Sequence, residues 1–282
     1  MSNYLVYDVF TDTAFGGNQL AVFPDASAIP EGMLQSIAAE FNFSEVTFVY
    51  PPEDPSHTAR VRIFTPTMEM EFAGHPVIGT VIALSDLGYN VPMVLELGIG
   101  PLPCSIDNGT ASFTTSVALN ILAKPETTLV AKSLDLLPDK IVIQTHSPTQ
   151  ASLGAPFVLV ELDNRETLSE CKPNIEVLRK CAERYPAGMD FAIFAYVRKG
   201  GEIHARMFAP LDNIPEDPAT GSASATLAAL LTEIIGAPQS LVFTQGEDMG
   251  RPSTIMAETT QNPTRVTISG QAVQTMAGKF IL

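Results

Sequence analysis

Glu45 is a carboxylate in an apolar setting, Phe41-Asn-Phe-Ser44-Glu45-Val-Thr-Phe-Val49, where a predicted helix gives way to a strand. Alternation along the strand is expected to put Phe43, Thr47 and Val49 on its face. Desolvation favours the protonated form of a carboxyl, which suits a group that must carry a proton. The competing reading is a strand-end glutamate turned to water. His75 sits in Ala73-Gly-His-Pro76. Proline is pre-organised for a first helical turn, so His75 is expected at or beside an N-cap. There the positive end of the helix favours a neutral imidazole able to relay a proton; a histidine that only caps is the alternative. Asp217 opens Asp217-Pro-Ala-Thr220-Gly-Ser222. It reads either as an N-cap or as a partner for a substrate amine or hydroxyl. Gly74 and Gly221 let the backbone N–H groups of two helix starts come close to a carboxylate.

Those two helix starts belong to a repeat. Arg62-Ile-Phe64-Thr-Pro66 and Arg206-Met-Phe208-Ala-Pro210 share the pattern Arg-x-Phe-small-Pro, with the arginines 144 residues apart. Each copy runs through a short acidic segment (Glu69, Glu71; Asp212, Glu216, Asp217) into a small-residue turn. Each turn opens an apolar stretch, residues 77–84 and 223–235, apolar or small on every side and therefore a buried helix. Gly79, Ala223 and Ala225 would let strands approach closely. Strands are predicted at 4–10, 20–23, 45–50, 58–64, 91–97, 111–115, 141–144, 157–162, 191–197, 203–208, 241–245, 253–258, 264–269 and 272–276. Further helices are predicted at 30–41 and 175–184. The economical architecture is α+β: a curved sheet around a central helix, made twice, with one site between the halves. Residues 245–253, Gln245-Gly246-Glu-Asp-Met-Gly250-Arg251-Pro-Ser253, form a glycine-bracketed loop that could close over a site or pack a dimer contact.

The 282 residues suggest two domains, and 45% hydrophobic against 17% charged residues suffices for a substantial core. A net charge of −15 would repel nucleic acid. No uncharged apolar run approaches the roughly 18 residues of a membrane helix. The N-terminal segment lacks the basic start of a secretory signal, so a cytoplasmic protein is expected. Cys104, Cys171 and Cys181 lack any paired spacing, and His57, His75, His146 and His204 are scattered. Neither a disulfide framework nor a metal site is indicated. No phosphate-binding glycine loop or nucleophile elbow is present, and no cofactor site is expected.

The ordered set Asp8-Val-Phe10, Gly17-Asn18-x-Leu20-Ala-Val22, Ser44-Glu45-x-Thr47-Phe48, Arg62-x-Phe64-Thr-Pro66, Phe72-Ala-Gly74-His75-Pro76, Arg206-Met-Phe208-x-Pro210, Glu216-Asp217-Pro-Ala-Thr220-Gly-Ser222, Gln245-Gly246, Gly250-Arg251-Pro-Ser253 and Val266-x-Ile268-Ser-Gly270-x-Ala-Val273 resembles the phenazine-biosynthesis PhzF-like family of the diaminopimelate-epimerase fold. The resemblance implies two pseudo-symmetric halves, each a mostly antiparallel sheet around a buried helix. An N-terminal half of residues 1–120 would be joined by a returning last strand at about 275–282, and 121–274 would form the C-terminal half. It also implies a cofactor-free isomerase, typically homodimeric, acting on a small cyclic or unsaturated carboxylate. The catalytic positions match Glu45, His75 and Asp217. Ser44, Gly74, Thr220, Gly221 and Ser222, with Asn18, match candidate substrate contacts. Amino-acid epimerases of this fold carry a cysteine at the start of each central helix. Here Ala73 and Thr220 stand there, which argues against two-thiol racemisation and for one shuttling carboxyl. A non-catalytic binder, or a racemase using Glu45 and Asp217, are the alternative readings.

Overall fold

One order of elements occurs twice in the computed structural model, which describes residues 2–281. The chain divides into two units, Met1–Thr114 with Ile268–Leu282, and Thr115–Thr267; sequence reasoning places the joins at 120 and about 275. Along the chain run β1 (Ser2–Val9), β2 (Asn18–Phe23), α1 (Leu34–Phe41), β3 (Glu45–Tyr50), β4 (Ala59–Phe64), β5 (Glu69–Met70), α2 (Gly74–Asp86), β6 (Met93–Leu97), β7 (Gly100–Asp107) and β8 (Thr110–Thr115). Then come β9 (Asn120–Ala123), α3 (Thr127–Ser133), β10 (Thr149–Ser152), β11 (Pro156–Glu161), α4 (Arg165–Glu170), α5 (Ile175–Arg184), β12 (Ile193–Lys199), β13 (Glu202–Ala209) and β14 (Ile214–Asp217). The last elements are α6 (Gly221–Ile235), β15 (Ser240–Gln245), β16 (Ser253–Thr260), β17 (Arg265–Gly270) and β18 (Ala272–Phe280).

In the first unit β1 pairs antiparallel with β2, β2 parallel with β3, and β3 antiparallel with β4. β4 then pairs antiparallel with β5 and parallel with β6, followed by antiparallel β6, β7 and β8. The returning strand β18 pairs antiparallel with β1. The second unit repeats this list: β10–β11 antiparallel, β11–β12 parallel, β12–β13 and β13–β14 antiparallel, β13–β15 parallel, β15–β16 antiparallel. There β9 takes the place of β18 and pairs with β10.

Each sheet has a central helix on one face. In α2 every residue from Gly74 to Leu84 is buried, and α6 is buried almost throughout, as expected of helices without a polar side. A Cβ on Gly79 would stand 2.5 Å from Leu20 Cδ2 and 2.7 Å from Val9 Cγ2, so only glycine lets α2 lie this close to β1 and β2. On the other face of the first sheet, α1 packs Leu34, Ile37 and Ala38 against Ala21, Phe23, Val46 and Phe48. In the second unit α3, α4 and α5 cover Val158, Val160, Ile193 and Ala195.

The repeated Arg-x-Phe pattern makes the same contact twice. Arg62 grips Glu69 with Nε and Nη2 at 2.6 and 2.7 Å, and Arg206 grips Glu216 with the same atoms at 2.8 and 2.8 Å. Each guanidinium also lies over the phenylalanine two residues on, Phe64 or Phe208. A planar fork on a carboxylate and over a ring ties β4 to β5, and β13 to β14.

Several elements differ from expectation. Residues 141–144 make only an isolated bridge, Ile141 to Leu162; the strand there is β10, whose polar Thr-Gln-Ala is buried between β9 and β11. β7 escapes sequence patterns because of Pro101 and Pro103. Both fall where β7 pairs with β6 alone, since its pairing with β8 begins at Cys104, and a proline is tolerated where one side has no ladder.

Candidate active site

Glu45 opens β3, and its parity sends it toward α2. Val46 and Phe48 belong to the α1-side core, whereas Thr47 faces α2 and accepts a 3.0 Å hydrogen bond from Thr80 Oγ1. Two residues of strand advance roughly 6.6 Å, and five residues of helix roughly 7.5 Å. Stepping back from the Thr47–Thr80 contact by those amounts brings Glu45 to His75. The two meet with Glu45 Oε2 2.8 Å from His75 Nδ1. Glu45 is 16% and His75 4% exposed, so the glutamate is not a strand end turned to water. Phe43 is a correction: it packs on Phe41 in the α1-side core rather than sharing Glu45's face.

His75 is the second residue of α2, whose N-cap is Ala73 in extended conformation with no side-chain cap. It therefore does not cap the helix. With Glu45 ionised, Nδ1–H donates to the carboxylate and the imidazole is held in one tautomer. Its Nε2 is buried and makes no hydrogen bond. Asn18 stands two residues before Leu20 and Ser44 one before Glu45 in the parallel pair Leu20–Glu45, with Ser44 Oγ donating to Asn18 Oδ1 at 3.3 Å. The first unit thus brings Asn18, Ser44, Glu45, Gly74 and His75 to one end of β2, β3 and α2.

Asp217, Thr220, Gly221 and Ser222 gather at the start of α6 in the second unit. Asp217 is not the N-cap that its position before Pro218 suggested. It ends β14, and Thr220 is the N-cap, with Gly221 as the first helical residue. The Thr220 hydroxyl donates to Asp217 Oδ2 at 2.5 Å. Asp217 and Thr220 are both buried.

Sequence reasoning missed two residues here. Gln245, fully buried, accepts from Thr220 N at 3.1 Å and donates to the Asp217 carbonyl at 2.7 Å and to Thr220 Oγ1 at 2.9 Å. Ser253 Oγ lies 2.6 Å from the Pro218 carbonyl. The glycine-bracketed loop was the available signal, but its partners lie 25 to 35 residues away in sequence. The loop is also anchored at its tip. Glu247 meets His204 at 2.9 Å, and Asp248 meets Arg165 at 2.9 Å and Ser169 Oγ at 3.0 Å. Such anchoring suits a brace rather than a lid that opens.

The three cysteines lie outside both groups. Burial pushes the thiols of Cys104 and Cys171 up to about 12 and that of Cys181 to about 11, so none supplies a thiolate near neutral pH. Among the described residues no group of three or more His, Cys, Asp and Glu could hold a metal ion. None of their helices is long and apolar enough to cross a membrane. A groove of about 660 Å³ on the first unit, lined by Glu53, His57, Arg60, Arg62 and Glu96, contains none of the candidate residues. Pocket size is a weaker guide here than the polar contacts, because this groove is open and its charged groups are already paired with one another.

A model of the family described as phenazine biosynthesis-like protein, PhzC–PhzF, matches residues 7–278. The chain belongs to that family. A trans-2,3-dihydro-3-hydroxyanthranilate isomerase from Pseudomonas fluorescens is 33% identical over the whole of both chains. An uncharacterized isomerase from Mesorhizobium japonicum is 35% identical over 99% of each. A crystal structure of a PhzF-family protein from Bacillus anthracis superposes with a TM-score of 0.89 at 23% identity, covering 100% of this chain and 99% of that one. The protein is accordingly an isomerase of the PhzF family, with the α+β architecture expected of it.

Proposed function

We propose that this PhzF-family isomerase moves a proton within a small cyclic or unsaturated carboxylate, using Glu45 as the shuttle and no cofactor. The observation that carries the proposal is the 2.8 Å Glu45–His75 contact at the start of α2. Glu45 takes a proton from a carbon next to an unsaturated system, the double bond migrates, and the same carboxyl returns the proton to another carbon on the same face. The substrate ends with the same atoms and oxidation state. His75 fixes the carboxyl's direction through Nδ1, and its buried Nε2 offers a polar contact to the substrate. Asp217 engages an amine or hydroxyl. The backbone N–H groups at Gly74 and Gly221, with Asn18, Ser44, Thr220 and Ser222, hold the substrate's carboxylate and neighbouring polar groups. The first substrate to try is trans-2,3-dihydro-3-hydroxyanthranilate, the compound in the relative's name. A homodimer is the proposed working assembly, checked by sedimentation.

The test is deuterium uptake from D₂O into that compound and related unsaturated carboxylates. Wild-type protein is expected to incorporate deuterium, and Glu45→Gln to be slower by about 10²–10⁴-fold, the usual contribution of general acid–base help. Equal incorporation by the two would remove Glu45 from the mechanism. Tight binding without incorporation into any compound would favour a binding protein.

A further inference from the structure

Gln245 occupies a place that is apolar in the other unit. Arg60 pairs with Glu96 in the first sheet and His204 with Thr244 in the second. The next residues along, Leu97 and Gln245, therefore correspond, as do Gly98 and Gly246. The glycines confirm the match, because each lies against an equivalent backbone. A Cβ on Gly98 would stand 2.7 Å from Glu71 Cα, and one on Gly246 3.2 Å from Pro218 Cα. Both units thus press a glycine against the turn before the central helix. Only in the second unit does a polar side chain precede it, and there the turn carries Asp217.

The hydrogen bonds around Gln245 permit one assignment. The Thr220 backbone N–H can only donate, so the amide atom facing it is Oε1. The Asp217 carbonyl can only accept, so the atom facing it is Nε2. Nε2 also donates to Thr220 Oγ1, which leaves that hydroxyl's single proton for Asp217 Oδ2. The direction of every proton from Gln245 to the carboxylate follows. Ser253, through the Pro218 carbonyl, holds the same turn from the next strand.

We propose that Gln245 is a positioning residue that acts through Thr220 to orient the Asp217 carboxylate. This rests on the reading of Asp217 as a substrate-engaging group. Gln245 itself touches the turn and the hydroxyl, and its amide fixes which way the hydroxyl points. Thr220→Val, which keeps the shape and removes the hydroxyl, should therefore reproduce the loss seen in Gln245→Met, and Thr220→Ser should restore it.

The experiment has a kinetic and a spectroscopic arm. In deuterium exchange with the dihydro-hydroxyanthranilate, Gln245→Met and Thr220→Val are expected to lose about 10- to 100-fold, the cost of a small misplacement in a reacting site. Thr220→Ser, which keeps the hydroxyl, should recover most of what Thr220→Val loses. In an Asp217→Asn background, adding Gln245→Met should cost little more, because the residue acts through a group already lost. Independently of turnover, the carboxyl ¹³C resonance of Asp217, assigned by its loss in Asp217→Asn, should move in both Gln245→Met and Thr220→Val and stay put in Thr220→Ser. An unmoved resonance in Gln245→Met overturns the proposal, as does the full Gln245→Met loss persisting in the Asp217→Asn background. Should Gln245→Met fail to fold, Gln245→Asn, whose amide is one methylene too short to reach Thr220, is read by the same resonance. If wild-type protein exchanges no deuterium into any candidate, the proposed function fails while the resonance still judges Gln245.

Discussion

The two units share a frame and differ in what fills it. Arg62 pairs with Phe48 and Arg206 with Ala195, which aligns β3 with β12 at an offset of 147 residues. The same offset carries Gly74 to Gly221, the first residues of α2 and α6. Glu45 and His75 then correspond to Ala192 and Ser222, and Thr47 and Thr80 to Phe194 and Leu227. Phe194 and Leu227 are fully buried, and Ala192 nearly so. Where the first unit places two polar contacts between sheet and helix, the second has an ordinary apolar seam. Conversely, Asp217 aligns with Met70, since Met207 pairs with Asp217 as Ile63 pairs with Met70. Each unit contributes one candidate-site carboxylate, at positions that do not correspond. A racemase with two equivalent opposed bases would be expected to use corresponding positions, so this asymmetry favours one shuttling carboxyl with a differently placed helper.

The largest expected effect comes from writing the second unit's residues into the first. Glu45→Ala with His75→Ser copies the Ala192–Ser222 pair. Deuterium incorporation should fall by about 10²–10⁴-fold. Stability to denaturant should hold or rise, because removing both members of a buried polar pair leaves neither unsatisfied. A double variant that exchanges at the wild-type rate would break the functional side of the comparison.

The two arginine clamps separate next. Arg206 is 11% exposed, its partner Glu216 17%, and its Nη1 also faces the carbonyls of Leu168, Ser169 and Cys171. Arg62 is 22% exposed, and its partners Glu69 and Glu31 are 43% and 81% exposed. Arg206→Ala should cost about 3 kcal/mol, since it strands a largely buried carboxylate and three carbonyls. Arg62→Ala should cost about 1 kcal/mol, as for a solvent-screened pair. Urea unfolding of the two variants checks the ranking, and equal losses would show that burial does not set it.

Gly79 corresponds to Thr226, a position that tolerates a branched side chain in the second unit. Gly79→Ala should cost about 1–3 kcal/mol by overpacking against Leu20 and Val9, whereas Thr226→Ala should cost less. Thermal melting of both separates the cases.

Much of this was legible in residue order. The doubled Arg-x-Phe pattern marked the duplicated clamp, and helices apolar on every side announced that they are buried. The small residues also read correctly, with Gly79 at a contact that admits no Cβ. What escaped depends on partners far off in sequence. β10 is polar and is a strand only because β9 and β11 flank it. Glu45 and His75 are 30 residues apart and Gln245 and Thr220 25 apart, and only the packed fold brings them within bonding distance. Of the two readings of Asp217 that the sequence left open, N-cap or substrate partner, the cap falls because Thr220 takes that place in α6.

The smallest expected effect is the most direct test of why the first unit keeps polar groups in its seam. Thr47 and Thr80 are both fully buried, and the Thr80 hydroxyl donates to that of Thr47. Thr80→Val alone leaves the Thr47 hydroxyl without its partner and should cost about 1–3 kcal/mol. Thr47→Val with Thr80→Val restores the apolar character that Phe194 and Leu227 have in the second unit, and should return stability to within about 0.5 kcal/mol of wild type. If the pair serves only packing, deuterium exchange should be unchanged in the double variant. If it sets the strand-to-helix spacing that brings Glu45 to His75 one step away, exchange should fall several-fold while stability is recovered. The second outcome would extend the difference between the units from the reacting pair to the contact that supports it.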